Sequence, residues 1–378
     1  MSAAADDGLL LTAAQVPAPA IASTVRGGPL RDQAPRGEPP RSLDLRHLLR
    51  MSDEAGLFEH ADGAVPRRGH GYCVDDVARG LLVLCREPFP SADVIELSGR
   101  YLTFLAHAQA EDGSFHNRMG YDRQWHDQPG TGDWWGRAMW GLGTAAAGSP
   151  AAWIREAALT YFELGAPHRP VHLRSLAYAA LGAAQVLTAD PGHRAARSLL
   201  ADTVRAIGPI RAGVGPQPWL WPEERLAYGN AMLPEVLLLA GRHLGDDRAL
   251  ADGLRLLGWL LEAESSAGHL SPTPVGGRGA ADRRPWFDQQ PIEVAALADA
   301  CADAFSITAD PRWSAGVALA AAWFTGENDT GAVMYDRLTG GGYDGLTRTG
   351  PNTNQGAEST LALLSTRQQD HRLRTEYP

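Results

Sequence analysis

Five times along this chain a loop rich in Gly, Trp, amides or carboxylates runs straight into an Ala- and Leu-rich stretch. The loops are His70-Gly71-Tyr72-Cys73-Val74-Asp75-Asp76, Gly132-Asp133-Trp134-Trp135-Gly136-Arg137, Trp219-Leu220-Trp221-Pro222-Glu223-Glu224, Phe287-Asp288-Gln289-Gln290-Pro291-Ile292-Glu293 and Asn352-Thr353-Asn354-Gln355-Gly356-Ala357-Glu358. Apolar helices build a scaffold, and polar loops at their N-termini gather on one rim. Acids, amides and indoles collected in this way line a small-molecule pocket, and a sugar is the ligand that such a lining suits.

From Leu43 onward apolar residues recur at three and four positions. The spacing predicts helices over 43–51, 75–86, 92–110, 136–147, 151–163, 171–189, 193–206, 229–242, 246–264, 289–305, 310–325 and 355–367. Alternating apolar and polar runs are scarce, so strands are expected only as short loop hairpins. Asp75 or Asp76 is placed to cap the helix after it, Ser91 precedes an acidic first turn, and Asp190-Pro191-Gly192 separates two helices. Helical hairpins joined by alternating short and long connections are the pattern of an all-α (α/α)6 toroid, a six-hairpin, glycosidase-like barrel. The small residues of Ala177–Ala184 and Gly316–Ala322 permit the close helix approach that a double ring requires. The expected organisation is one barrel domain over 41–378, preceded by a disordered leader over 1–40 that is rich in Ala, Pro, Gly and Arg.

With Lys+Arg 34 against Asp+Glu 44 and a net charge of -10, the surface on balance repels phosphate backbones and anionic lipid, which disfavours nucleic-acid and membrane-surface roles. Three cysteines (Cys73, Cys85, Cys301) without a Cys-x-x-Cys spacing indicate neither a disulfide framework nor a zinc site. The acidic start Met1-Ser2-Ala3-Ala4-Ala5-Asp6-Asp7 is unlike a signal peptide, and no later segment is long and apolar enough to span a bilayer. The expected location is cytoplasmic, and no cofactor or metal is called for.

Two adjacent acids, Asp75 and Asp76, stand at a helix start. Neighbours on a helix point about 100° apart, so at most one of them faces the barrel axis; the other reading is a cap with a partner in Arg79. In Trp219–Asn230, Glu223 lies between aromatics, where desolvation favours a proton-holding carboxyl and hence a general acid, while Glu224 suits a surface pair with Arg225. Trp125, Trp221, Tyr72 and Tyr228 offer ring faces to a sugar. Arg79, Asp133, Arg137, Asn230, Gln290, Glu293, Asn354 and Glu358 are the candidate hydroxyl ligands. For Glu358, capping and loop bracing compete with a ligand or base role.

These motifs, with Asp112-Gly113-Ser114-Phe115-His116-Asn117 and Tyr121-Asp122-Arg123, resemble a bacterial (α/α)6-barrel family. Its members are often labelled glycosyltransferases or glycosidase-related proteins and are found with mannoside phosphorylases. The likeness runs from about residue 60 to 365. It implies an oligosaccharide substrate containing mannose or glucose. Glycosidase-type chemistry would then use Glu223 as acid and Asp75 or Asp76 as base. The family pattern has polar residues where this chain has Val77, Gly132, Trp135 and Gly229. Two other readings compete: a glycan-binding protein without turnover, and a terpene cyclase-like α-barrel. The cyclase reading is weakened by Cys73 standing at the first position of its Asp-x-Asp-Asp acid. No G-x-G-x-x-G or P-loop supports nucleotide binding.

Overall fold

A computed structural model describes residues 43–210, 219–284 and 286–376. The leader expected over 1–40 lies outside the described residues. Helices α1 (Arg46–Arg50), α2 (Val74–Cys85), α3 (Ala92–Ala108) and α4 (Asp133–Gly148) come first. They are followed by α5 (Ala152–Gly165), α6 (Leu173–Ala189), α7 (Arg194–Ile207) and α8 (Met232–Leu244). The last four are α9 (Asp247–Ala263), α10 (Pro291–Thr308), α11 (Pro311–Phe324) and α12 (Ala357–Glu376). Each falls on a stretch that the apolar spacing predicts. Among the described residues strands occur only as antiparallel pairs of two or three residues each: the hairpins β1 (Ala61–Asp62) with β2 (Val65–Pro66), β5 (Ser265–Ser266) with β6 (His269–Leu270) and β7 (Gly345–Thr347) with β8 (Gly350–Asn352), and β3 (Tyr72–Cys73) with the distant β4 (Arg118–Met119).

The even-numbered helices form a closed inner ring. Each touches the next, α2 on α4, α4 on α6, α6 on α8, α8 on α10 and α10 on α12, and α12 returns to α2. The odd-numbered helices pack outside, α3 on α2, α5 on α4, α7 on α6, α9 on α8 and α11 on α10, while α1 packs on α12 as the sixth outer helix. This is the (α/α)6 toroid. Because outer and inner helices alternate along the chain, the inner six run parallel and start at the same rim. The long connections 51–73, 109–132, 208–231, 264–290 and 325–356 lead into that rim, whereas turns such as 245–246 and 309–310 close the far end.

Burial follows the ring. Of α10, the residues from Val294 through Ala302 are all buried, as expected for a helix enclosed on every side. On outer α9 only Ala249, Gly253, Leu256, Leu257 and Leu260 are buried, an apolar stripe at three- and four-residue spacing. Ser91 caps α3 by accepting from Val94 N (3.4 Å), and Asp246 caps α9 by accepting from Ala249 N (2.9 Å). Helix α2 differs from expectation. Its N-cap is Cys73, with no side-chain cap bond, and Asp75 and Asp76 sit inside the first turn, where their carboxylates are left for other partners.

Glycine sets the spacing of the inner ring. A Cβ on Gly143 of α4 would stand 2.2 Å from the Gly182 carbonyl oxygen of α6, and one on Gly182 would stand 2.2 Å from the Met139 carbonyl oxygen. Gly136 meets the Ser175 carbonyl in the same way at 2.3 Å, and Gly141 meets the Ala78 carbonyl of α2 at 2.6 Å. No methyl group fits at such distances, so α4 packs backbone against backbone on both neighbours.

An alanine at either position must push α4 and α6 apart. Gly143→Ala and Gly182→Ala are each expected to destabilise by about 2 kcal/mol despite the better helix propensity of Ala. Thermal unfolding should show the melting temperature lowered by roughly 5 °C. At Gly258 on α9 the nearest atoms to an added Cβ are 3.8 Å away. Gly258→Ala is therefore expected to be neutral or to stabilise by up to about 1 kcal/mol.

Candidate functional site

The first turns of the inner helices converge on one layer of paired charges. Asp75 Oδ1 accepts from Arg79 Nε (2.9 Å) and Nη2 (2.7 Å), and Arg79 Nη1 donates to Glu358 Oε2 (2.8 Å), which ties α2 to α12. Arg137 on α4 places Nε 3.3 Å from Asp75 Oδ1, donates from Nη2 to Tyr178 Oη (2.6 Å) and lays its guanidinium 3.7 Å above the Tyr178 ring of α6. A Cβ on Gly229 would come within 2.7 Å of that same Tyr178 oxygen, so the turn before α8 abuts the layer. Glu293 of α10 accepts from Gly229 N (2.6 Å), Asn230 N (3.3 Å) and Asn230 Nδ2 (3.3 Å). Five inner helices and the turn before α8 thus contribute to this network.

The two adjacent acids part company, as the 100° rule requires. Asp75 turns to the arginines; burial would push its carboxyl up, but Arg79 and Arg137 outweigh burial and hold it below the usual range. Asp76 is sealed at 3 % exposure, and its Oδ1 has no hydrogen-bond partner. Burial drives its carboxyl well above the usual range; Arg79 opposes that, and Asp75, Glu358 and Glu59 reinforce it.

Glu223 stands at the edge of the same rim. Arg174 Nη1 and Nη2 donate to its two oxygens (3.2 and 2.7 Å), and Trp221 Nε1 donates to Oε2 (3.0 Å). The sequence suggests a desolvated acid between aromatics. The structure instead shows a carboxyl whose side chain is 37 % exposed and whose two oxygens both accept hydrogen bonds. Arg174 Nε also donates to the Tyr228 carbonyl (2.7 Å). Asp133 accepts from Ser175 Oγ (2.8 Å), and half-exposed Tyr228 is hydrogen-bonded to Asp133; burial, then this bond, raises the Tyr228 phenol.

Several expected ligands lie elsewhere. Tyr72 is fully buried, stacked on Phe58 at 5.0 Å with its hydroxyl donating to Asp53 Oδ2 (2.7 Å); it is a core residue because its strand turns it inward. Trp221 is buried against Trp259 and orients Glu223 rather than presenting a face. Trp125 stacks on His116 at 5.0 Å and packs on Phe104 and His107 in the 109–132 connection. Asn230 is buried, its Oδ1 accepting from Ala227 N (3.1 Å), and Asn354 Oδ1 accepts from Gly63 N (3.0 Å), so both brace loops. Gln290 stands half-buried at the N-cap position of α10 without a side-chain capping bond, and its neighbour Gln289 is the buried bracing amide, bonded to Trp286, Asp329 and Trp323. Arg174 and Tyr178 are the residues that sequence reasoning missed. The available signal was Arg174 as the sole charge on Ala-rich α6, with Tyr178 one turn along the same face.

Val77 and Trp135, two of the four departures from the family pattern, are fully buried in the barrel wall. The other two are glycines whose missing side chains are replaced by neighbours. The Trp134 ring lies 2.2 Å from a Cβ built on Gly132, and Tyr178 Oη occupies the space beside Gly229.

Below the arginine layer runs an axial cavity of about 40 Å³, lined by Leu82, Met232, Ile292 and Leu361 and reaching Asp299 and Ser365. It has room for a few water molecules and none for a sugar ring.

The sequence matches no protein-family model and no curated protein. Solved structures do resemble the chain. A cellobiose 2-epimerase from Bacillus thermoamylovorans aligns with TM-score 0.68 and 9% identity over 88% of this chain and 96% of that one. A D-mannose isomerase gives 0.62 and 11% over 87% and 95%, and a glycosidase in complex with glucose gives 0.53 and 15% over 86% and 95%. At these identities the likeness establishes the toroidal fold. No helix among the described residues is long and apolar enough to cross a membrane.

Burial pushes the Glu293 carboxyl up to about 7, against an ordinary 4.5. A raised folded-state value contributes stability below about pH 4.5 that is lost as pH rises through 7. Glu293→Gln removes that contribution along with an acceptor for the Gly229 and Asn230 amides. The variant is expected to be less stable by about 2 kcal/mol or more at pH 4.5. Chemical denaturation across pH should show the gap to the parent narrowing toward pH 7; a gap independent of pH refutes the assignment.

Proposed function

We propose that the chain is a carbohydrate-processing enzyme that binds an oligosaccharide on the rim of inner-helix N-termini and acts on it by carboxylate acid/base chemistry. The observation that carries this reading is the Glu358–Arg79–Asp75–Arg137–Tyr178 chain of contacts, which crosses four inner helices at the mouth of the barrel. Charged, directional donors and acceptors fixed on rigid helices suit a ligand covered with hydroxyl groups. They suit an isoprenoid poorly, which sets the cyclase reading aside. The fold neighbours support the choice, since their names describe an epimerase, an isomerase and a glycosidase of sugars.

In this mechanism Asp75 is the base. Its Oδ1 accepts two hydrogen bonds from Arg79 and lies 3.3 Å from Arg137 Nε, and these two charges hold its carboxyl below the usual range. Glu223 is assigned as the acid and meets the sugar only once a sugar oxygen displaces Arg174 or Trp221 from its carboxyl, since apo hydrogen bonds of catalytic groups rearrange on binding. Arg137, Tyr228, Asp133 and Glu358 hold hydroxyls. The motif resemblance to proteins found with mannoside phosphorylases makes manno-oligosaccharides the first substrates to try, with gluco-oligosaccharides beside them.

A second reading, glycan binding without turnover, is favoured by one feature: Asp75, Glu223 and Glu358 are each already matched to a guanidinium. The two readings separate in a product screen of the parent, Asp75→Asn and Glu223→Gln, run beside a thermal-shift assay. The enzyme reading expects product from the parent and a loss of roughly 100-fold or more in either variant. Sugar-dependent stabilisation of all three proteins without product would establish the binding role instead.

A further inference from the structure

At the junction of β3 with α2, three metal-ligating side chains converge outside the arginine layer. One donor atom each of Glu59, Cys73 and Asp76 lie within 4.8 Å of one another. They come from separate local structures, the connection after α1, the strand β3 and the first turn of α2. Backbone bonds hold these together: Glu59 N donates to the Gly71 carbonyl (3.2 Å) and Val74 N to the Asn117 carbonyl (2.9 Å).

Cys73 is 4 % exposed and Asp76 3 %. Asp76 Oδ1 has no hydrogen-bond partner; the nearest cationic nitrogen is Arg79 Nη2 at 3.6 Å, and Arg79 itself is committed to Asp75 and Glu358. A carboxylate oxygen withdrawn from water without a donor is costly. It is also what one face of a cation site presents. Asn117 Oδ1 stands 3.2 Å from Cys73 Sγ and adds a further oxygen. Glu59 pairs with Arg118 through Oε2, while its Oε1 has only the more distant His60 Nε2, at 3.5 Å.

We propose that Glu59, Cys73 and Asp76 bind a divalent cation of the zinc type, with Asn117 Oδ1 beside them. One sulfur among oxygens selects a borderline-soft ion over calcium or magnesium, which take oxygen alone. On binding, the Cys73 S–H and Asp76 O–H bonds break, their protons leave to solvent, and sulfur–metal and carboxylate–metal bonds form. Ligand bonds of about 2.0–2.3 Å require the donors to draw together by roughly 1 Å. The bound ion would lock the first turn of α2, and with it Asp75 and Arg79, onto the paired strands β3 and β4. This proposal is independent of the sugar reading.

The test uses the full chain, stripped of metal with a chelator and titrated with Co²⁺. Expected is a near-ultraviolet thiolate-to-cobalt charge-transfer band that saturates at one equivalent. Cys73→Ser abolishes the band, Glu59→Gln weakens the Kd by roughly tenfold or more, and Cys85→Ser leaves it unchanged. Circular dichroism establishes that each variant is folded. A folded parent chain that gives no band overturns the proposal, as does a band that survives Cys73→Ser or a Kd that Glu59→Gln leaves unaltered.

Discussion

Everything at the mouth of this barrel depends on how closely α4 lies against α2 and α6. Gly136, Gly141, Gly143 and Gly182 remove the side chains that would hold the three helices apart, so carbonyls of one meet alpha carbons of the next. Residues in the first turns can then touch across helices: Arg137 reaches Asp75 on one side and Tyr178 on the other. A ring of wider spacing would leave each of these polar groups to water. The packing of apolar helices and the pairing of charges at the rim are therefore one arrangement.

Parallel inner helices present their positive ends together, and that field favours carboxylates in first turns. Asp75, Asp76, Asp133, Glu293 and Glu358 all occupy such positions. Arg79 and Arg137 follow one turn deeper and supply the counter-charge. Burial and pairing then act differently on adjacent acids, holding Asp75 down while Asp76 is driven up. The two carboxyls of one dipeptide become chemically distinct because the helix points them at different neighbours.

The helices were legible because a buried Ala- and Leu-rich repeat at helical spacing has few other ways to fold. The link from Asp75 to Arg79 was legible too, as a spacing of four on one helix. What sequence could not convey is which loop aromatics face inward: Tyr72 and Trp221 read as ring platforms and are in fact buried, one plugging the core and the other holding Glu223. Arg174 was overlooked because a lone charge in an alanine-rich run reads as the solvent side, whereas here it is 5 % exposed and spans Glu223 and Tyr228. Cys73 and Asp76 are three apart at the start of α2, but Glu59 joins them only through tertiary structure, so the set of three is not announced by local spacing.

The pairing of α1 with α12 governs how the barrel can assemble. In every other hairpin the outer helix follows its inner partner directly, whereas this one joins the first helix to the last. During synthesis α1 must wait for α12, and until then the apolar flanks of α2 and α10 have no inner neighbour to cover them. Closure is the step of longest sequence separation and hence of greatest loop entropy. The nascent chain is accordingly an open crescent with two greasy edges, and chaperone dependence and aggregation during expression will be decided at that seam rather than at the rim.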